Sequence, residues 1–311
     1  MKKILLVAMA ATMFAACTQN EELENAGSNK EMKFNTAVMS TTRAGAITND
    51  KFTQFTLYAY TGTDNATAII GGKSFIKTGN NWDVTGETFY WPGTQNVEFF
   101  GYSIETAADA VYEAATATAP TLAYTVNSAI ASQEDLLVAD KVTQNSSSAT
   151  TVSIPFKHAL TKMSFKIAGD ADATSAFSYA ITGIKVTANT KGTYEYSSSN
   201  WNATTSESKE FTLTNPADFN GGDAAVAVNE SLMMIPQTGA TITINYTIST
   251  TGVTTPIAVE KVFTFTDWAK GKNIAYTIKL PSDAIQKITV TGTFEDDWST
   301  ETPNEGMTPN A

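Results

Sequence analysis

Histidine, cysteine and arginine occur once each in the 311 residues, as His158, Cys17 and Arg43. A single cysteine excludes a disulfide within the chain. With one histidine beside it, no zinc cage of Cys and His can be built, and a serine triad would leave no histidine for a metal. Positive charge is also scarce. Lys+Arg number 20 against 31 Asp+Glu, a formal net charge of −11, which gives no basic footprint for nucleic acid. Charged residues make up 16% of the chain, below the roughly 25% usual in soluble domains. No enzyme, cofactor or metal site is expected from such a set.

Threonine is abundant instead, at 50 residues. A β-branched polar residue suits the solvent face of a strand. Hydrophobic residues at 42%, with 16 Phe, 11 Tyr and 5 Trp, suffice for packed cores. The length points to more than one domain. Composition therefore predicts an all-β protein.

Lys2 and Lys3 precede a 13-residue apolar run, Ile4 to Ala16, too short to span a bilayer but suited to a signal peptide. The run ends in Phe14-Ala15-Ala16-Cys17, which resembles a bacterial lipobox in which Cys17 takes the lipid. The competing reading is an ordinary secretory signal with a coincidental cysteine. Removing residues 1–16 leaves 18 basic and 31 acidic residues, a net charge of −13. Residues 18–31 are polar, acidic and aperiodic, and read as a tether. Glu21, Glu22 and Glu24 resemble the acidic signal that exports Bacteroidota lipoproteins to the cell surface, or form an ordinary solvated run.

Met32, Phe34, Thr36 and Val38 alternate with other residues as in a short strand. Arg43 follows in small, polar surroundings (Ser40 to Ala46) that read as an exposed loop open to a protease. On placement alone, an arginine without a role is the favoured reading. Further strands are predicted at 55–60, 97–102, 151–156, 161–167, 181–187, 241–248, 262–265, 273–280 and 288–294. Ser132 to Ala139 is expected to start a short helix with Ser132 as its N-cap. Without βαβ alternation, antiparallel sandwiches are favoured over a parallel sheet.

The remaining chemical candidates have simpler explanations. Glu295-Asp296-Asp297 are consecutive, so on a strand they face opposite ways; a solvated turn fits better than a calcium loop. His158 has no second histidine and reads as a structural imidazole. Gly71-Gly72-Lys73-Ser74 lacks the first glycine of a phosphate loop, since Thr67 stands in that place. The tryptophans at 82, 91, 201, 268 and 298 could include a sugar-stacking platform, although scattered Trp in sandwiches is usually core.

Several segments together resemble the fimbrillin family of Bacteroidales, the type V pilins and their fimbrillin-like relatives. They are Tyr90-Trp91-Pro92-Gly93 with VEFFGYS, QEDLLVAD from Gln133, FKHALTKMSFKI from Phe156, and Ile181 to Trp201 with Gly192-Thr193-Tyr194. Ile235-Pro236-Gln237 before TITINYTI and FTFTDWAKGKNIAYTIKL from Phe263 complete the set, which covers nearly all of residues 50–298.

The resemblance implies two tandem transthyretin-like β-sandwich domains and a maturation route. The expected organisation is a lipoprotein signal peptide (1–16), then a tether and pro-segment with a removable strand (17–43). An N-terminal sandwich (44–157) and a C-terminal sandwich (158–311) follow. Lipidation at Cys17 would anchor the chain at the outer membrane surface. A trypsin-like, arginine-specific protease would then cut between Arg43 and Ala44, leaving 15 basic and 27 acidic residues, a net charge of −12.

The implied function is a structural subunit of a cell-surface fimbrium that supports adhesion. Its partners would be other fimbrial subunits, joined by donor-strand exchange. The candidate donor strand is 285–298, with Ile288, Val290 and Phe294 on one face; equally, this run is the last strand of its own domain. The alternative is a non-polymerising surface lipoprotein on the same scaffold, a fimbrial tip adhesin or glycan-binding module with a host or bacterial surface ligand.

Overall fold

The computed structural model describes residues 30–38, 52–62, 65–104, 110–113, 119–147, 151–169, 177–203, 207–214, 219–220, 225–250, 252, 254–265, 268–280 and 288–294. They form no α-helix and twenty strands. In the first half these are β1 (Lys33–Val38), β2 (Gln54–Thr61), β3 (Thr67–Thr78), β4 (Asn81–Asp83), β5 (Val97–Ser103), β6 (Ala110–Glu113), β7 (Thr121–Thr125), β8 (Leu137–Gln144) and β9 (Thr151–His158). Next come β10 (Thr161–Ala168), β11 (Phe177–Asn189), β12 (Lys191–Glu195), β13 (Asn200–Ala203), β14 (Ser208–Leu213) and β15 (Phe219–Asn220). The chain continues through β16 (Val226–Met234), β17 (Thr241–Thr250), β18 (Ile257–Thr264), β19 (Asn273–Lys279) and β20 (Thr289–Phe294). The all-β expectation is met.

Seven strands form the first sheet in the order β1-β9-β8-β5-β2-β3-β4. Every pair in it is antiparallel except β1 with β9. One face carries an aromatic core of Phe52, Phe55, Phe75, Trp82, Phe99 and Phe156, with Leu57, Val152 and Ile154 beside them. Phe55 and Phe75 stack at 5.1 Å.

The central strands of this sheet are buried on both faces. Phe99 belongs to the aromatic core, whereas Phe100 points into a second and larger one. This is why VEFFGYS reads as a continuous apolar run rather than an alternating one.

The same two-sided burial corrects the expected helix at 132–139. Ile130–Ser132 forms a short 3₁₀ turn, and β8 begins at Leu137. Leu136 and Val138 enter the larger core, while Leu137 and Ala139 enter the aromatic one. Four consecutive apolar residues serving two opposite cores need a period of two, which a helix cannot supply.

The larger core lies mainly in a sandwich. One layer is β16-β10-β19-β20, and the other is β14-β11-β17-β18 with β15 also on β11. Met163, Phe165, Tyr276 and Ile278 come from the first layer; Ile184, Val186, Ile242 and Ile244 come from the second. Alternation along TITINYTI puts Ile242, Ile244, Tyr246 and Ile248 inside, as expected.

A fourth sheet, β13-β12-β7-β6, joins residues from before and after position 157. Its β7–β12 pairing sets Thr125 opposite Lys191 and Leu122 opposite Tyr194. Backbone hydrogen bonding therefore ties the two halves of the chain together.

Candidate assembly site

The first sheet is completed by a strand that enters from upstream of the arginine. β1 runs parallel to β9, with Lys33 opposite Thr151, Thr36 opposite Ile154 and Val38 opposite Phe156. Its leading end is held on the other side by residues 89–91. Met32 N–H donates to Phe89 C=O at 2.8 Å, and Trp91 N–H donates to Lys30 C=O at 3.0 Å. The Lys30 ammonium also donates to the Ser146 carbonyl.

Alternation on β1 aims apolar side chains at the aromatic core. Met32 is buried, and the Phe34 ring lies edge-on to Phe75 at 4.8 Å and to Phe99 at 6.1 Å. Of the strand expected at 32–39, Lys33–Val38 is present, with Met32 and Phe34 turned toward the aromatic core; residue 39 lies outside the described residues. β1 thus fills a slot whose walls are β9 and the segment after β4.

β10 repeats part of this arrangement in the second half. It runs parallel to β19 and has β16 antiparallel on its other edge. The strand that opens the second half is thereby bonded on both sides along its length, whereas β1 is bonded on its second side only at its leading end.

The C-terminal run forms β20, an edge strand antiparallel to β19. Ile288 and Val290 are buried in the larger core. Gly292 lies opposite Tyr276, and Phe294 is in backbone register with Ile274. Cys17, Arg43, Ala44, the 295–297 acidic cluster and Trp298 lie outside the described residues.

The expectation of a structural imidazole fits His158, whose Nδ1 lies 2.8 Å from Asp135 Oδ2 with both side chains buried. Gly71 to Ser74 lie on β3, where Gly72 adopts a positive φ of 69°. A Cβ there would meet the Tyr58 ring at 2.7 Å, so the glycine serves close packing. Trp82, Trp91 and Trp268 are core residues, and Trp201 is half-buried with its indole N–H bonded to Ala159 C=O at 2.6 Å. Among the described residues no group of three or more His, Cys, Asp or Glu could hold a metal.

Sequence reasoning missed the polar and aromatic side chains at the junction of the halves. The buried Tyr196 hydroxyl donates to Gly101 C=O at 3.0 Å, across 95 residues of chain. Tyr58 and Tyr112 stack with ring centroids 3.5 Å apart. Burial, then neighbouring Tyr102 and Tyr60, pushes the Tyr58 phenol up to about 12. Burial also raises Tyr112, Tyr194 and Tyr196.

Beside them, Asp140 pairs with Lys157 and accepts from Ser199 Oγ at 3.0 Å. Burial alone would raise this carboxyl; hydrogen bonds from Lys157 and Ser199, with the charges of Lys157 and Lys270, hold it below its ordinary value. The Lys270 ammonium lies 5.2 Å from the Tyr194 ring centroid and donates to Ser199 C=O at 2.6 Å. Burial lowers the Lys270 pKa against the opposing pull of Asp140. The alternating Tyr194 and Tyr196 were a visible local signal, but their partners were not.

A family model described as fimbrillin-like matches residues 42–298. No curated protein matches the chain. Among solved structures, a fimbrial protein from Bacteroides vulgatus is 20% identical, with a TM-score of 0.66, and the match covers 87% of this chain and 100% of that one. A Parabacteroides distasonis protein assigned to cell adhesion is 9% identical at a TM-score of 0.54, covering 89% and 99%. One from Bacteroides uniformis, also assigned to cell adhesion, is 18% identical at 0.51, covering 86% and 98%. At these identities the likeness establishes a shared fold.

Proposed function

The chain belongs to the fimbrillin-like family, and we propose that it is a structural subunit of a cell-surface fimbrium, assembled by donor-strand exchange and supporting adhesion. The observation that carries this reading is the placement of β1. A strand upstream of the chain's one arginine completes the first sheet, burying Met32 and packing the half-buried Phe34 against the aromatic core.

In this reading Cys17 is lipidated and holds the chain at the outer membrane surface until an arginine-specific protease cuts between Arg43 and Ala44. The scaffold is two tandem transthyretin-like sandwiches, 44–157 and 158–311, joined by the β7–β12 pairing. Fimbrial and cell-adhesion relatives of the same fold support a surface role with other subunits as partners.

The physical case rests on effective concentration. While residues 30–38 stay attached, β1 competes for its slot at an effective concentration on the order of millimolar, which a second molecule cannot easily match. A cut at Arg43 removes that advantage. Departure of β1 then exposes apolar surface and the unpaired edge of β9, which an incoming strand can satisfy by β-augmentation.

The incoming strand is proposed to be 285–298 of another subunit. Burying Ile288, Val290 and Phe294 at about 1.5–3 kcal/mol each would yield roughly 5–9 kcal/mol before ordering costs.

One observation favours the second reading, a non-polymerising tip adhesin or glycan-binding lipoprotein. β20 is docked on β19 of its own chain, with Ile288 and Val290 already buried. Cutting the full chain with an arginine-specific protease separates the two. A fimbrial subunit then forms polymer, whereas a non-polymerising binder stays monomeric and keeps its hold on a surface glycan.

A further inference from the structure

The buried face of β1 is not uniformly apolar. After Met32 and Phe34, the third inward position is Thr36, whose Oγ1 is buried without a hydrogen-bond partner. Its register partner Ile154 is fully buried in the aromatic core. Inward residues on the other strands of this sheet, such as Phe55 and Leu57 on β2 and Val152 and Phe156 on β9, are apolar.

A second unsatisfied group flanks the same strand. Trp91, whose backbone N–H bonds Lys30, is buried and has no partner for its indole Nε1–H. Both groups are desolvated while β1 is seated, and the Thr36 hydroxyl, carried on the strand itself, returns to water when β1 leaves. An unmade hydrogen bond of this kind shifts an opening equilibrium by roughly ten- to a hundredfold.

We propose that Thr36 is a built-in weak point that sets how fast the pro-strand leaves its slot once the chain is cut. This rests on the reading that β1 is removable, and it names the residue that regulates removal. Covalent attachment masks the weakness before the cut, because an intramolecular strand rebinds faster than it is replaced. After the cut the same hydroxyl favours the open slot. Valine matches threonine in shape and would fill the site without an orphaned oxygen, so the native choice favours release over holding.

The test compares wild type, Thr36→Val and Thr36→Ser as full chains, each cut with an arginine-specific protease. Mass spectrometry of gel-filtered samples over time measures how long the fragment ending at Arg43 stays bound. Thr36→Val is expected to lengthen its residence about tenfold or more and to slow assembly by a similar factor. Thr36→Ser, which keeps the hydroxyl, should release at least as fast as wild type. If wild type releases its fragment and Thr36→Val releases at the same rate, the role of Thr36 is wrong and the removable strand stands. If wild type holds its fragment indefinitely, the removable strand itself is wrong, and the Thr36 proposal goes with it.

Discussion

Gly292 lies directly against Tyr276: a Cβ on the glycine would stand 2.9 Å from Tyr276 Cε1. The tyrosine has little room to yield. Its hydroxyl accepts from Trp268 Nε1 at 3.1 Å, and its ring packs on Phe265 at 4.7 Å and on Phe165 at 5.6 Å. Any side chain at position 292 would therefore force the tyrosine or β20 to shift.

Gly292→Ala should loosen β20 selectively. Overpacking of this kind costs about 1–3 kcal/mol. Hydrogen exchange at residues 289–294 is expected to quicken about tenfold or more, while β1 keeps its protection. Unchanged exchange there would mean that the sheet absorbs the methyl group and that Gly292 does not control docking.

Tyr196→Phe should weaken the junction between the halves. It removes the buried hydrogen bond to Gly101 C=O, a loss of about 0.5–1.5 kcal/mol. Denaturant melts should show the midpoint falling. An unchanged midpoint would show that this bond contributes nothing to cohesion.

Alkaline stability should carry the signature of Tyr58. Its folded pKa, raised to about 12, exceeds the ordinary value near 10, so the folded state keeps a proton that the unfolded state has lost. The stabilising contribution is complete below pH 10 and disappears between 10 and about 12. Tyr58→Phe should flatten the stability curve in that window, and phenolate absorbance should titrate one group fewer there. An unchanged slope would contradict the assignment.

At the acid end Asp140 acts with the opposite sign. Its folded pKa is depressed, so its contribution is present above the ordinary carboxylate range and is lost as pH falls through the folded value. Its side chain is 33% exposed, which limits the effect of Asp140→Asn at neutral pH to about 0.2–1 kcal/mol. The variant should show a shallower acid transition than wild type. Parallel acid curves would remove the Asp140 pairing with Lys157 from the account.

The strands most legible in the sequence are those with one buried face. Ile242, Ile244, Tyr246 and Ile248 alternate with Thr241, Thr243, Asn245 and Thr247, because one side of β17 is buried in the core and the other is only half-buried. β8 was misread because Leu136 to Ala139 feed two cores at once. β7 and β12 were not foreseen as a pair, since Leu122 and Tyr194 meet across 72 positions and neither segment carries its partner's address. The β1 face was readable as Met32, Phe34, Thr36 and Val38. That Thr36 Oγ1 lacks a partner depends on what surrounds it, which a period of two cannot reveal.

The central claim is that β1 is held by covalent attachment and yields its place after a cut at Arg43. Because the chain has one arginine, an arginine-specific protease makes that single cut. The decisive measurement is electron microscopy, with an unboiled SDS gel, of wild type and Arg43→Ala after this treatment. The account predicts filaments and an SDS-resistant ladder from wild type, and monomer from Arg43→Ala. Cut wild type that stays monomeric, or Arg43→Ala that polymerises equally well, would contradict it.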